Sequence, residues 1–174
     1  RMGKGIQFLM KKNKIDVING YGKILNKNTI EVENKSSTEK ISSDFIIIST
    51  GSSPNYFPGM EPNGKDIITY KEALVIDKIP KHIVIIGAGA IGIEFAYFFN
   101  TFGSEVTVIE AQKHILPNED IDISKELERI FKSKKINIKT DTTVENISKD
   151  KKGIMVNLKD SKINCDKVLV AVGV

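Results

Sequence analysis

Apolar and polar positions follow a regular pattern in the second half of the chain. Four apolar runs there predict strands, at residues 82–86, 105–109, 136–139 and 167–172. Runs without alternating polar residues are typical of strands buried on both faces. Helical spacing between them predicts one helix over 90–102, closed by Gly103, and another from Asp120 or Asp122 to Lys134. Strands that alternate with helices predict a parallel sheet.

Three shorter runs, at 143–147, 154–158 and 162–164, are separated by turn-forming residues. This spacing predicts a three-stranded antiparallel meander. We therefore predict an α/β fold over residues 80–174, namely a Rossmann-like domain with a parallel sheet and this meander.

The first half of the chain has a less regular pattern. It predicts a short helix over 5–12, a Gly-rich turn over 19–22 and strands at 15–18, 29–33, 40–42 and 45–49. The last of these is continuously apolar, so we expect it to be buried on both faces. Four of the five prolines fall within 54–80, as in a connection between two units. The pattern predicts a first domain over 1–53, a crossover segment over 54–79 and a second domain over 80–174.

Composition excludes several classes of protein. The chain has 174 residues, a net charge of +4 and 40% hydrophobic residues, which indicates a folded domain rather than a disordered chain. Only two of the 26 basic residues are arginine and the lysines are spread out, so we interpret them as surface groups and expect no nucleic-acid partner. The apolar runs are too short to cross a bilayer and no secretory signal is recognised. We expect a cytoplasmic protein without membrane contact.

The residue types that carry much of enzyme chemistry are scarce. Cys165 is the single cysteine, which excludes an intramolecular disulfide and a multi-cysteine metal site. We interpret Cys165 as a packing thiol, and His82 and His114 as structural residues because neither has the sequence neighbours of a catalytic base. No catalytic residue and no metal ligand is predicted within this chain.

The clearest chemical signal is the motif Gly87-Ala88-Gly89-Ala90-Ile91-Gly92. It follows a predicted strand and opens a predicted helix, which is the context that a dinucleotide-binding turn requires. The first glycine permits the sharp turn, the second lets a pyrophosphate approach the backbone, and the third lets the helix pack on the sheet. The pyrophosphate would meet free N–H groups at the positive end of the helix dipole.

Glu110 stands at the end of the next predicted strand, 23 residues after Gly87. An acid at roughly this separation accepts hydrogen bonds from the hydroxyls of an adenosine ribose and repels a 2′-phosphate. Gln112, Lys113 and His114 follow it in place of the arginines that would hold such a phosphate. The sequence therefore favours NAD over NADP.

Several motifs together resemble one family. They are Asn19-Gly20-Tyr21-Gly22-Lys23, Thr50-Gly51-Ser52-Ser53-Pro54, the glycine motif with its flanks from Ile85 to Glu94, His114-Ile115-Leu116-Pro117, and Val170-Ala171-Val172-Gly173. The chain resembles, over essentially its whole length, the flavin- and pyridine-nucleotide-dependent disulfide oxidoreductases. Within that family it is most similar to the branch that oxidises protein-bound dihydrolipoyl groups.

The resemblance implies two sets of cofactor-binding residues. Residues matched to NAD contacts are Gly87, Ala88, Gly89, Ala90, Ile91, Gly92, Glu94, Glu110, Val144, Ala171 and Gly173. In the family, the position of Glu94 lies near the nicotinamide end, that of Val144 lines the adenine side, and Ala171–Gly173 lies beside the nicotinamide. Residues matched to backbone that touches FAD are Gly22, Thr50, Gly51 and Ser52. The plainer interpretations are a turn glycine for Gly22, a core valine for Val144 and a surface helix residue for Glu94.

The resemblance also implies features that this chain lacks. The family has an FAD-binding glycine turn and a redox-active cysteine pair upstream, and a dimerisation domain with a catalytic His–Glu pair downstream. We therefore expect an internal fragment, comprising part of the FAD domain and an essentially whole NAD domain, which binds nucleotide without turnover. The resemblance implies that the parent protein is a homodimer whose partner is the lipoyl-bearing component of a 2-oxoacid dehydrogenase complex.

Other functions remain open from the sequence alone. Glutathione reductases, mercuric reductases and NADH oxidases of the same family differ mostly in regions that this chain does not contain. A stand-alone nucleotide-binding or regulatory module without redox chemistry is a further alternative. A cysteine pair encoded upstream and a His–Glu pair downstream would support the enzyme.

Overall fold

The computed structural model describes residues 2–150 and 153–174, and the chain divides into two compact units between Gly51 and Ser52. The first unit contains helix α1 (Met2–Lys12) and a three-stranded antiparallel sheet in the order β1-β2-β3. Its strands are β1 (Tyr21–Asn26), β2 (Thr29–Glu33) and β3 (Thr38–Ser42). Asn34 supports the turn between β2 and β3, because its Oδ1 accepts hydrogen bonds from the N–H groups of Ser36 and Ser37.

Two strands predicted in the first unit are wrong. Residues 15–18 form no strand, and β1 instead begins at Tyr21, inside the predicted turn, because Tyr21 and Gly22 pair with β2. Residues 45–49 also form no strand, and Phe45 and Ile47 are about nine-tenths exposed. No strand among the described residues pairs with this run, and an apolar run without ladder partners has no surface to bury against.

The second unit is the predicted α/β fold. Its strands are β4 (Ile67–Ile68), β5 (His82–Ile86), β6 (Glu105–Ile109), β7 (Asn137–Lys139), β8 (Val144–Asp150), β9 (Gly153–Leu158), β10 (Lys162–Cys165) and β11 (Lys167–Val170). A five-stranded parallel sheet has the order β4-β11-β5-β6-β7, and a separate antiparallel sheet has the order β10-β9-β8. The helices are α2 (Tyr70–Ala73), α3 (Ala90–Thr101) and α4 (Ile121–Ser133), the last capped by Asp120. The predicted Rossmann-like domain with its meander is thus confirmed.

The alternation of side chains along β5 explains why the strand is apolar from Ile83 to Ile86. Ile83 and Ile85 belong to a core that includes Phe99 of α3 and Phe131 of α4. Val84 and Ile86 belong to a second core, shared with the antiparallel sheet. Because this part of the strand contributes to both cores, neither face of residues 83–86 has a polar side chain.

The predicted crossover segment contains two elements that the sequence analysis missed. Strand β4 pairs in parallel with β11 through Ile67 and Ile68 and forms an edge of the large sheet. Helix α2 follows at once and starts with a capping box between Thr69 and Glu72. The Thr-x-x-Glu sequence at residues 69–72 is a signal for such a helix start, but the prolines of the segment favour a connection without helix.

Candidate functional site

A cleft of about 770 Å³ lies at the carboxyl ends of β5, β6 and β11. The chain passes from β5 to β6 and β7 on one side, whereas β11 lies on the other side of β5. Open α/β sheets bind ligands at such a switch point. Eight of the eleven residues predicted to contact NAD line this cleft, and they are Gly87, Gly89, Ala90, Ile91, Glu110, Val144, Ala171 and Gly173.

Two glycines of the motif are required by the packing of the protein itself. Gly87 has a φ of 101°, and a Cβ atom there would overlap the carbonyl group of Ala171. A Cβ atom at Gly92 would overlap the carbonyl oxygen of Gly87. Both positions therefore demand glycine whether or not a ligand binds.

Gly89 is different, since the protein itself places no demand for glycine there. Its backbone is extended, with φ −71° and ψ −176°, and beyond its two chain neighbours no heavy atom lies within 4 Å of the position of a Cβ atom. It is the N-cap of α3, whose first N–H groups have no intrahelical partner and carry the positive end of the helix dipole. The open space at Gly89 therefore fits an anionic group that must approach this backbone closely.

Glu110 is buried at the end of β6, and both of its oxygens accept hydrogen bonds from the backbone. Glu110 is only 8% exposed. Oε2 accepts from the N–H of Ala88 at 2.7 Å, and Oε1 accepts from the N–H of Gln112 at 2.9 Å. A carboxylate has about four lone-pair sites, so both oxygens retain acceptor capacity for ribose hydroxyls.

Three residues predicted to contact NAD do not line the cleft. Ala88 is completely buried, and its N–H donates a hydrogen bond to Oε2 of Glu110. Gly92 lies in the first turn of α3 and packs on the loop. Glu94 is exposed on α3, on the turn that follows Ala90 and Ile91.

The residues predicted to contact FAD all lie outside this cleft. Gly22 lies in β1, opposite Val32 of β2. Thr50 and Gly51 end the first unit, and Ser52 begins the second. All four are exposed, and Gly51 has a φ of 83°, a conformation that favours glycine.

One wall of the cleft was missed by the sequence analysis. Phe57, Pro58 and Met60 line it, although the sequence places them in the crossover segment. Backbone hydrogen bonds fix this stretch at both ends, from the N–H of Asn55 to the carbonyl of Gly173 and from the N–H of Ile147 to the carbonyl of Gly59. The Phe-Pro-Gly-Met sequence carries no signal for such a wall, because these bonds join residues more than 80 positions apart.

The residues interpreted as structural lie outside the cleft. Burial raises the pKa of the Cys165 thiol to about 11, so this thiol stays protonated and is a poor nucleophile at neutral pH. Nε2 of His82 lies 3.0 Å from the Thr107 hydroxyl, and Nδ1 of His114 lies 3.2 Å from the carbonyl oxygen of Ile115. Within residues 2–150 and 153–174, no group of three acidic, histidine or cysteine side chains could hold a metal ion. None of the described helices has the length and apolar character needed to cross a membrane.

The geometry is that of an α/β domain with a cleft at the switch point of its parallel sheet, and comparison with known proteins gives its family. The family model of pyridine nucleotide-disulphide oxidoreductases matches residues 1–174. Dihydrolipoyl dehydrogenase of Mycobacterium tuberculosis is 42% identical, over 97% of this chain and 37% of that protein. Among solved structures, LpdA of M. tuberculosis has a TM-score of 0.84 at 25% identity and covers 98% of this chain and 39% of its own. Water-forming NADH oxidase of Lactobacillus brevis, bound to NADH, has a TM-score of 0.68 at 25% identity, over 88% and 36%.

The chain therefore belongs to the pyridine nucleotide-disulphide oxidoreductase family, as the resemblance of its motifs implied. Members of this family use FAD and NAD(H). The chain spans about two-fifths of the length of the relatives that it matches.

Proposed function

We propose that this chain supplies the NAD-binding part of a dihydrolipoyl dehydrogenase. Residues 80–174 form the NAD-binding domain, the crossover segment 54–79 adds a sheet strand and a cleft wall, and residues 1–53 form part of an FAD-binding domain. The observation that carries the proposal is Gly89, where open space over a helix N-terminus has no explanation in the packing of the protein. The identity of 42% to a dihydrolipoyl dehydrogenase supports the choice within the family.

Each cleft residue has a role in this proposal. The N–H groups at Gly89, Ala90 and Ile91 hold the pyrophosphate, and Gly87 and Gly92 shape the turn beneath it. Glu110 accepts the hydroxyls of the adenosine ribose, and Val144 lines the adenine side. Ala171 and Gly173 lie beside the nicotinamide, and Glu94 lies near that end. Gly22, Thr50, Gly51 and Ser52 contribute peripheral contacts to FAD.

The reaction of the whole protein belongs to the same proposal. A dihydrolipoyl dithiol would be oxidised through a redox disulfide and FAD, and hydride would pass to NAD. The chemistry is that of the flavin and nicotinamide, whereas the residues described here bind and orient the dinucleotide. The proposed partner is the lipoyl-bearing component of a 2-oxoacid dehydrogenase complex, and the proposed assembly is a homodimer in the cytoplasm.

The test is calorimetric titration of the purified chain with NADH and with NADPH. We expect NADH to bind more tightly, because Glu110 faces the ribose and repels a 2′-phosphate. Glu110→Ala should narrow the difference in affinity between NADH and NADPH, since a hydrogen bond to a charged group contributes about 1.5–3 kcal/mol. NADPH binding as tightly as NADH to the unchanged chain would refute the role of Glu110.

Gly89→Ala tests the observation on which the proposal rests. The added methyl group occupies open space in the protein but blocks the approach of the pyrophosphate. We expect little change in the midpoint of urea unfolding, because alanine restricts the unfolded state but is a poorer N-cap residue than glycine, and the two effects oppose each other. NADH affinity should fall by about tenfold or more, as expected for the loss of one or two hydrogen bonds to a charged group. Unchanged NADH affinity would contradict the placement of the pyrophosphate.

A further inference from the structure

We propose that Glu110 positions the glycine loop, defined as residues 87–89, in addition to accepting ribose hydroxyls. The inference rests on the proposed binding of NAD in this cleft, and it assigns Glu110 a task that precedes ligand binding. A single carboxylate connects the loop after β5 to the loop after β6, because Ala88 donates to Oε2 and Gln112 donates to Oε1.

The peptide groups around Ala88 are held from several sides. The N–H of Gly87 donates to the carbonyl of Ile109 at 2.8 Å, and the carbonyl of Ala88 accepts from the N–H of Leu116 at 2.8 Å. Glu110 supplies the side-chain contact in this set, at 2.7 Å to the N–H of Ala88. Since Ala88 precedes Gly89, the orientation of its peptide groups sets the direction in which the next N–H groups point toward the cleft.

Leu116 shows that the surrounding structure holds this arrangement against a local cost. Its φ is 49°, a left-handed conformation that is unfavourable for a leucine. Such residues persist when their surroundings fix them. Here the N–H of Leu116 binds Ala88, and the carbonyl of Leu116 accepts from the N–H of Glu119 at 2.9 Å.

The chemistry of the two donors explains why position 110 needs a carboxylate. Both backbone groups are N–H donors, and each faces a different oxygen of Glu110, so the side chain must accept hydrogen bonds at both of its ends. A glutamine of the same shape presents an NH₂ group at one end, which places two donors against each other. An aspartate keeps the charge, but it is one methylene shorter and cannot span both donors.

A carboxylate held in this way also sharpens the choice between NAD and NADP. A free side chain could rotate away from a 2′-phosphate, whereas rotation of Glu110 breaks two charge-assisted hydrogen bonds in a buried setting. The repulsion that disfavours a 2′-phosphate is therefore built into the unliganded protein. A second consequence is that the pyrophosphate end and the ribose end of the cleft depend on the same side chain.

The test uses the complete chain with Glu110→Gln, with Glu110→Asp, and with Glu105→Gln as the matched control. Glu105→Gln replaces a glutamate by a glutamine at the opposite, exposed end of β6. Backbone hydrogen exchange is followed by NMR without ligand at Ala88 and Gln112. We expect exchange at least tenfold faster in Glu110→Gln at the amide that faces the new NH₂ group, faster exchange at one amide in Glu110→Asp, and unchanged exchange at both amides in Glu105→Gln. Unchanged protection at both amides in a folded Glu110→Gln protein would overturn the proposal.

Binding separates positioning from direct contact with the ribose. NADH and its 2′,3′-dideoxyadenosine analogue are titrated into the unchanged chain and into Glu110→Gln. If Glu110 positions the loop, the substitution weakens binding of the analogue as well, by about tenfold. If Glu110 only contacts ribose hydroxyls, the substitution has no effect on the analogue, and the positioning role is refuted.

The outcomes also separate this inference from the proposed function. If the unchanged chain folds but does not bind NADH, the proposed function fails, while faster exchange at Ala88 would still support the loop contact. If Glu110→Gln does not fold, Glu110→Asp decides through the exchange of the two amides. If both amides in the folded aspartate variant are as well protected as in the unchanged chain, the proposal is refuted.

Discussion

Residues 45–48 in the first unit and 83–86 in the second are four-residue apolar runs of nearly the same composition. The run in β5 is almost completely buried, with no residue more than 6% exposed, whereas Phe45, Ile47 and Ile48 are 67–90% exposed. Strand β5 has hydrogen-bonded neighbours on both edges and a hydrophobic core on each face. Residues 45–48 pair with no strand in the described part of the chain. Hydrophobicity alone therefore does not determine burial, which requires partners on the edges and faces of the strand.

The largest expected effect tests this contrast directly. Ile85→Ala removes a completely buried side chain between Phe99 and the other residues of its core, and Ile47→Ala makes the same change where the side chain is 90% exposed. We expect the first to lower the free energy of unfolding by about 2–5 kcal/mol and the second to change it by less than about 0.5 kcal/mol. Urea unfolding followed by circular dichroism measures both. Comparable losses would show that residues 45–48 are buried in solution.

A second contrast lies within the glycine motif, and its expected effect is smaller. Gly92→Ala forces a methyl group against the carbonyl oxygen of Gly87, whereas the methyl group of Gly89→Ala meets no protein atom within 4 Å beyond its chain neighbours. Overpacking of this kind typically costs about 1–3 kcal/mol. We expect a lower midpoint of urea unfolding for Gly92→Ala only, and weaker NADH binding for both variants. Equal stability of Gly92→Ala and the unchanged chain would mean that α3 can shift away from the loop.

The two units also show which features a sequence can reveal. Strands β5 and β6, the turn at Gly87 and the acid at Glu110 were predicted, because each depends on residues that are close in sequence or on a fixed spacing. The cleft wall at Phe57 and Met60 was not predicted, since it depends on bonds to Gly173 and Ile147. The strand prediction at residues 45–49 is wrong for the same reason, because the sequence of a segment does not show whether partner strands lie beside it.

The contact between Glu110 and Ala88 lies between these cases. The motif contains Ala88, and the spacing of Glu110 from Gly87 predicts that Glu110 contacts a ribose. Their mutual hydrogen bond appears only when β5 and β6 are placed side by side, with Ile86 beside Ile109. Both residues can therefore be named as candidates from the sequence, whereas the hydrogen bond between them cannot.

The smallest expected effect concerns α2, in the segment that the sequence analysis interpreted as a connection. Hydrogen bonds from the side chain and backbone of Thr69 lower the pKa of the Glu72 carboxyl below its usual value. A carboxyl whose pKa is lower in the folded state stabilises the protein above its unfolded pKa, and this contribution is lost as the pH falls through the folded pKa.

Thr69→Ala removes the side-chain acceptor of the cap and should lower the free energy of unfolding by about 1 kcal/mol at pH 7. Thr69→Ser keeps the hydroxyl and serves as the control. Unfolding in urea between pH 7 and pH 3 should show the stability of Thr69→Ala approaching that of the unchanged chain as Glu72 becomes protonated. A difference between the two proteins that stays constant over this range would show that the cap does not involve the charge of Glu72.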